Sequence, residues 1–242
     1  MTYPSTFLNP LDIDSRNSEF AGPYEIGREH LFKLFPGLDC QFPCLEVGAV
    51  IEAGGVSLAD MAILAALTLW LQPQRVLEIG TYHGWTSHNL ALQLKGDAEL
   101  VTIDLPDGQT PRLNSSGWNA SFFPEDKTPL LFEGRSTANR IKQIKEDTAN
   151  LSAEDFSGKF DLIFIDGSHS YPYVENDTKL ALSVANEQAI ILWHDYGIPA
   201  RWSGVTEYLL QSSREGHLYP LYWLNRKVDP EVNLVLYIRG LK

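Results

Sequence analysis

Cysteine is scarce in this chain, whose 242 residues include only Cys40 and Cys44. Because no second pair of ligands accompanies them, ordinary thiols are expected and not a zinc site. Long apolar runs are missing too: no stretch approaches the roughly 20 residues that span a bilayer. The N-terminus also lacks the basic and apolar segments of a signal peptide. The sequence predicts a cytoplasmic protein with no membrane partner.

Positive charge is scarce as well. The chain has 19 basic against 31 acidic residues, a net charge of −12, and no long Lys/Arg block. Because binding to a phosphate backbone needs clustered cations, a nucleic-acid partner is not expected. The 44% of hydrophobic residues can bury a full core, and the length is within the range of one large α/β domain.

Strand-like and helical stretches alternate from Ser57 onward, where Ser57 is a plausible N-cap of a helix that ends before Pro73. This alternation predicts an α/β fold: a doubly wound, Rossmann-like, seven-stranded and mostly parallel sheet. Its last two strands have no helix between them, which indicates a C-terminal antiparallel hairpin. The predicted strands are Arg75–Gly80, Glu99–Leu105, Leu130–Gly134, Phe160–Asp166, Ala189–His194, Leu218–Leu224 and Asn233–Arg239.

Residues 1–56 form a predicted N-terminal extension before the main domain of residues 57–242. The extension mixes prolines, aromatics and polar residues, with a helix-like patch at Arg28–Leu34 and a strand-like run at Leu45–Ile51. It carries more aromatic side chains than a free tail needs, so we expect a cap over the active site or a contact in a homo-oligomer. The aromatic residues are Phe20, Tyr24, Phe32, Phe35 and Phe42.

A glycine turn follows the first core strand, in the stretch that runs from Val76 to Ser87. It gathers backbone amides at a helix N-terminus beyond the carboxyl end of a strand, where open α/β sheets bind ligands. The spacing is E-x-G-x-x-x-G, from Glu78 through Gly80 to Gly84, and lacks the middle glycine that admits a pyrophosphate. A carboxylate before the turn suits a ligand with a positive centre, which favours S-adenosylmethionine over NAD. The alternative is a purely structural turn.

Asp104 ends the next strand, about 20 residues after the glycine turn. A carboxylate at this place can hold the two ribose hydroxyls of a nucleoside, so Asp104 is the candidate ribose ligand. The alternative is a helix or loop cap.

Two further strands are expected to end in Asp166 with His169, and in His194 with Asp195. Carboxylate oxygens are the ligands that Mg²⁺ or Mn²⁺ prefers, and imidazole can bind a metal or carry a proton. Each residue alone has a structural alternative: His194 as a core histidine, Asp195 as a turn cap, and Asp166 as a partner of backbone amides. Four such residues at neighbouring strand ends favour a functional site.

These segments, with E-I-G-T-Y-H-G-W-T-S, D-L-I-F-I-D-G-S-H and I-L-W-H-D-Y, resemble the class I S-adenosylmethionine-dependent methyltransferases. More narrowly, they are similar to the metal-dependent O-methyltransferases of small molecules, which include the macrolide-sugar enzymes and the cephalosporin-hydroxylase-like group. The resemblance extends from about Ser57 to the C-terminus. Its implied activity is natural-product or other small-molecule O-methylation.

The resemblance also implies roles for individual residues. A metal, Mg²⁺ or Mn²⁺, would be held by Asp166, His194 and Asp195, with His169 as the base. His194 departs from the family because imidazole replaces a carboxylate or amide oxygen there, and imidazole also suits softer ions than Mg²⁺. Asp104 would hold the ribose, and Ser136 would lie beside the adenine or cap a helix instead. The residues expected around the methionine part and the turn are Glu78, Gly80, Thr81, Tyr82, Gly84 and Ser87, with Asp166 nearby.

The acceptor is expected to be the hydroxyl group of a small molecule such as a sugar, a phenol or a natural product. The long insert Pro106–Pro129 is a candidate binding loop, because it contains Trp118, Phe122 and Phe123 among small and polar residues. Three other functions remain open at this point: an NAD-dependent oxidoreductase, a metal-dependent hydroxylase or hydrolase, and a non-catalytic cofactor-binding subunit.

Overall fold

The computed structural model describes residues 24–25, 28–47, 55–113, 130–197, 203–224 and 232–241. Within them one mixed sheet is flanked by helices. Its strands are β1 (Tyr24–Glu25), β2 (Arg75–Ile79), β3 (Glu99–Asp104), β4 (Ile141–Lys145), β5 (Phe160–Ile165), β6 (Ala185–Trp193), β7 (Leu221–Trp223) and β8 (Val235–Ile238). The helices are α1 (Arg28–Leu34), α2 (Leu58–Leu71), α3 (Trp85–Gln93), α4 (Tyr171–Val184) and α5 (Ser203–Arg214).

The strand order across the sheet is β1-β7-β8-β6-β5-β2-β3-β4. Strand β2 pairs in parallel with both β3 and β5, so the direction in which the chain is wound reverses at β2. Open α/β sheets bind ligands at such a switch point, beyond the carboxyl ends of the strands. The predicted Rossmann-like sheet is therefore confirmed, and so is its closing antiparallel pair, β7 with β8. The two-residue β1 is an eighth strand that was not predicted.

The central strands are apolar on both faces because helices cover both sides of the sheet. Alternate residues of one strand enter two different cores: Val76 belongs to the first and Leu77 to the second. Helix α2 packs its Met61 and Leu64 into the first core. Its N-terminus is capped as predicted by Ser57, whose Oγ accepts a hydrogen bond from the backbone N–H of Asp60 at 3.1 Å. These two cores hold the carboxyl ends of the parallel strands in fixed register.

The prediction of a strand at Leu130–Gly134 is wrong. These residues form turns, and the fourth strand is instead β4, which was not predicted. Its sequence I-K-Q-I-K is polar because β4 lies at the sheet edge, where only part of its surface is covered. The apolar run that was mistaken for a strand packs as a turn, and Phe132 is buried against the glycine turn at Gly84.

Part of the N-terminal extension packs against the main body. Phe35 is fully buried, with its ring centroid 5.2 Å from that of Trp70, whereas Phe42 is 87% exposed. Helix α1 matches the predicted patch, but residues 45–47 of the expected strand have no regular structure, and its remainder lies outside the described residues. Residues 45–47 are bound to α3, because the backbone N–H of Glu46 donates to Asn89 Oδ1 at 2.8 Å.

No helix in the described ranges combines the length and the apolar character needed to cross a membrane.

Candidate active site

The glycine turn lies at the switch point, where backbone atoms of two strands approach closely. Gly80 has φ +102°, and a Cβ atom added there would lie 2.1 Å from the carbonyl oxygen of Asp166. The amide of Asp166 in turn donates to the carbonyl of Ile79 at 2.8 Å. No side chain fits at Gly80, because the ends of β2 and β5 meet at backbone distance. The first of the predicted motifs is thus in direct contact with the third.

Glu78 is fully buried one residue before the end of β2. Its Oε2 accepts hydrogen bonds from the hydroxyl groups of Ser87 and Thr102, the latter at 2.5 Å. Its Oε1 is buried with no hydrogen-bond partner among the residues that the structure describes. The pKa of Glu78 is raised to about 8, chiefly by burial. The hydrogen bonds from Ser87 and Thr102 act in the opposite direction, and the charges of Asp166 and Asp104 contribute to the rise. A cationic ligand would give the unpaired oxygen a partner and would favour the ionised form of this carboxyl group.

Asp104 ends β3, on the other side of β2 from Asp166. Burial raises its pKa to about 6, and the ammonium group of Lys145, 3.5 Å from its Oδ2, acts in the opposite direction. Asp104, Glu78 and Asp166 thus bring three carboxyl groups to the ends of three neighbouring strands. Such a cluster repels a pyrophosphate and attracts a sulfonium or an ammonium group.

The other predicted cofactor residues lie in or next to the turn. Thr81 and Ser87 are buried: Thr81 Oγ1 lies 2.7 Å from Thr102 Oγ1, and Ser87 donates to Glu78. Ser87 therefore contacts Glu78 directly, whereas Thr81 is linked to Glu78 through Thr102. Tyr82 has φ +48°, and Gly84, with φ +75°, is the N-cap of α3. The turn thus presents its backbone, as expected of a site at a helix N-terminus.

Ser136 is exposed in the turns that follow Leu130. Ser136 is not the cap of the short helical turn that follows, because Thr137 occupies its N-cap position. The segment is nevertheless close to the cofactor corner, because the amide of Leu131 donates to the carbonyl oxygen of His83 at 2.9 Å.

The structure brings together all four predicted Asp and His side chains at the ends of β5 and β6. His169 Nε2 lies 2.6 Å from Asp195 Oδ2. His194 Nδ1 lies 3.1 Å from Asp166 Oδ1 and 3.2 Å from Asp195 Oδ1. Consecutive residues of an extended strand point to opposite faces, but Asp195 has φ +61°, and this left-handed turn lets His194 and Asp195 meet at one place.

The carboxylates and imidazole rings of this cluster lie close enough to shift one another's pKa. Burial by itself lowers the pKa of His194, but the surrounding carboxylates of Asp166, Asp195 and Asp60 outweigh it and raise that pKa well above its ordinary value. Burial raises the pKa of Asp166. Burial acts in the same direction on Asp195, yet the nearby imidazole rings of His169 and His194 outweigh it and lower the pKa of Asp195.

The donor set is compatible with a divalent cation. Asp166, His169 and Asp195 each offer one ligand atom within 4.8 Å of the others. His194 Nδ1 is buried, and neither adjacent carboxylate is aligned with it for a hydrogen bond. Adjacent ligands of an octahedral ion at about 2.1 Å lie about 3 Å apart, close to the two Nδ1 to oxygen distances.

Three contributors were missed at the sequence level. Thr102 is a polar residue in an apolar strand, and this contrast was a usable signal. Lys145 was missed because it ends β4, a strand that was not predicted. Asp60 is fully buried, and its Oδ2 lies 3.2 Å from His194 Nε2. Its only sequence signal is its place three residues after Ser57, which is typical of a helix cap.

A profile described as a methyltransferase domain matches residues 77–196. That range begins in β2 and contains the glycine turn, Asp104 and all four Asp and His residues.

These residues form a methyltransferase domain.

Solved structures agree with this assignment at the level of the fold. A putative O-methyltransferase from Klebsiella pneumoniae is 20% identical, with a TM-score of 0.56, and the match covers 78% of this chain and 83% of that one. The O-methyltransferase TomG from Streptomyces achromogenes, solved with S-adenosylmethionine, is 20% identical, with a TM-score of 0.54 and coverage of 77% and 82%. A Podospora anserina methyltransferase bound to S-adenosylhomocysteine is 17% identical, with a TM-score of 0.56 and coverage of 94% and 92%.

The prediction of a methyltransferase domain is thus confirmed for residues 77–196. The predicted fold is shared with structures solved with S-adenosylmethionine or S-adenosylhomocysteine. The candidate loop residues Trp118, Phe122 and Phe123 lie outside the described residues of this methyltransferase.

Proposed function

We propose that this methyltransferase transfers the methyl group of S-adenosylmethionine to a hydroxyl oxygen of a small molecule such as a sugar, a phenol or a natural product. In this proposal Asp166, Asp195 and His194 Nδ1 hold a divalent cation, Mg²⁺ or Mn²⁺, and His169 is the general base. One observation carries the proposal: the Asp and His side chains of two strand ends converge beside the glycine turn.

The three carboxyl groups at the switch point support the choice of cofactor. S-adenosylmethionine supplies an electrophilic methyl group on a positive sulfur atom, together with a ribose and an ammonium group. Glu78 offers a buried, unpaired oxygen to a cationic group, and Asp104 offers a partly buried carboxylate to the ribose hydroxyls. The backbone of the glycine turn would bind the methionine part, next to α3.

The chemistry of the acceptor follows from its neighbours. A bound divalent cation would lower the pKa of an acceptor hydroxyl. Asp166 and Asp195 follow the ends of the neighbouring parallel strands β5 and β6, so a cation held between them would place the acceptor oxygen close to the cofactor corner. His169 would take the hydroxyl proton, and its contact with Asp195 orients the ring and stabilises the imidazolium that forms.

The test is methyl transfer from S-adenosylmethionine with a tritium-labelled methyl group to a panel of sugars and catechols with vicinal hydroxyl groups. We expect labelled ether products, loss of transfer in EDTA and recovery with Mg²⁺. His169→Ala should lower the rate about 10² to 10⁴-fold with unchanged cofactor affinity. His217→Ala, at an exposed histidine, is the matched control.

Two results would count against the proposal in different ways. If methyl transfer stays fast in EDTA, the proposed metal is wrong and the proposed methyl transfer stands. Turnover of an acceptor without consumption of the methyl donor would instead favour a hydroxylase or hydrolase. The cytoplasmic location and the homo-oligomer stay predictions.

A further inference from the structure

Helix α2 brings a fifth ionisable side chain to the cluster from outside the matched methyltransferase domain. Asp60 lies in the first turn of α2, and its side chain is fully buried. Its Oδ2 lies 3.2 Å from Nε2 of His194, which is 134 residues away in the sequence. Because a buried carboxylate is costly unless it has partners, its contacts indicate what it does.

Both oxygens of Asp60 have partners. Oδ2 accepts a hydrogen bond from Ser57 Oγ at 2.9 Å, and Oδ1 accepts one from the backbone N–H of Asn233 at 3.2 Å. A plain helix cap would bind only its own N-terminus. Asp60 instead joins α2, the end of β6 and the segment before β8. Its carboxylate is therefore fixed before it meets the imidazole ring.

This arrangement determines which way the His194 ring faces. With Nε2 directed at Asp60, Nδ1 is left facing the carboxylates of Asp166 and Asp195. The two carboxylates lie 3.1 and 3.2 Å from Nδ1, so this nitrogen requires either a proton on it or a cation beside it. A divalent cation at the proposed site would take the place of that proton, because a histidine ligand binds metal in its neutral form. Histidines that bind metals generally donate their other ring N–H to a carboxylate, which fixes the ring orientation and makes the ligand more basic.

We propose that Asp60 is a positioning residue that holds His194 through Nε2 so that Nδ1 can act as a ligand together with Asp166 and Asp195. This inference rests on the proposed metal site. It adds to the active site a residue on the helix that precedes the first core strand.

The experiment compares Asp60→Asn with wild type in the full-length protein. Asn keeps the shape of the side chain and an acceptor oxygen but removes the charge. The matched control is Asp161→Asn, which alters a carboxylate that binds the amides of Gln74 and Arg75 at the amino ends of the strands. Mn²⁺ affinity is measured by electron paramagnetic resonance, and S-adenosylmethionine affinity by calorimetry.

A second readout follows the His194 ring directly. In protein labelled with ¹⁵N-histidine, the Nε2–H proton of His194 should be far downfield and slow to exchange, because it is buried against a carboxylate. His194→Gln assigns the signal among the six histidines of the chain. This readout does not need a bound metal.

We expect Asp60→Asn to weaken Mn²⁺ binding about 10 to 100-fold and to move the His194 signal upfield. Cofactor affinity should stay within about twofold, and Asp161→Asn should change none of these quantities. A folded Asp60→Asn protein with wild-type Mn²⁺ affinity and an unmoved His194 signal would overturn the inference. If wild type binds no Mn²⁺, both the metal site and the role of Asp60 in it are wrong, whatever the His194 signal shows.

Discussion

Glu78 gives the most quantitative prediction, because it is a buried carboxyl group whose pKa is raised from 4.5 to about 8. In the unfolded chain this group loses its proton near pH 4.5, whereas in the folded protein it keeps the proton up to about pH 8. The folded state therefore binds more protons within this window. Stability is lost as the pH rises from the unfolded towards the folded pKa.

The substitution Glu78→Gln removes this effect because glutamine does not titrate. Each pH unit of difference corresponds to about 1.4 kcal/mol, so the ionisation penalty of wild type is about 1 kcal/mol at pH 5 and about 3 kcal/mol at pH 7. The variant should therefore gain about 2 kcal/mol relative to wild type between these two pH values. For a chain of this length, that corresponds to a relative rise in Tm of about 4 to 8 °C.

The assay is thermal or urea unfolding of both proteins without cofactor at pH 5 and pH 7. Any constant cost of the substitution, such as altered bonds to Ser87 and Thr102, cancels when the two pH values are compared. Glu187→Gln, at an exposed position on β6, is the control and should show no such change. If the stability difference between wild type and Glu78→Gln is the same at both pH values, the raised pKa is wrong.

Two further predictions concern the base and the ribose ligand. A Cβ atom at Gly204 would lie 2.4 Å from the carbonyl oxygen of His169, so Gly204→Ala should displace the base and lower kcat at least tenfold with cofactor affinity unchanged. The steady-state kinetic control is Gly216→Ala, at a glycine in the turn after α5, where φ +74° strains an alanine but no atom lies within 4 Å of its Cβ. An equal kcat in both variants would refute the effect. Asp104→Asn should weaken S-adenosylmethionine binding about 10 to 100-fold in calorimetry, through lost charge-assisted hydrogen bonds. Asp107→Asn, which removes the other carboxylate near Lys145, should leave that affinity within twofold, and an equal loss in both variants would contradict the ribose assignment.

Local sequence patterns were sufficient for much of the fold. The buried parallel strands β2, β3 and β5 are short apolar runs, and the glycine turn after β2 has a positive φ that glycine adopts freely. Edge strand β4 escaped prediction because its surface is only partly covered and its sequence is polar. The apolar run at Leu130–Gly134 was wrongly predicted as a strand, because a turn can also bury apolar side chains, as this one buries Phe132.

The positions of the site residues could be predicted because the ends of the strands could be predicted. Parallel strands deliver their last residues to one edge of the sheet, so the convergence of Asp166, His169, His194 and Asp195 followed from their places in the sequence. Their mutual contacts did not follow. The pairing of His169 with Asp195 depends on the left-handed conformation of Asp195, which no local pattern specifies.

By itself the sequence determined the strand ends, the glycine turn and the kinds of chemical groups placed there, because these depend on the periodicity and composition of neighbouring residues. Only the tertiary structure decided which groups meet. It placed the buried Asp60 beside His194, and Thr102 and Ser87 against one oxygen of Glu78. Such contacts join residues that are far apart in the chain, and they depend on how helices and strands pack around a common core.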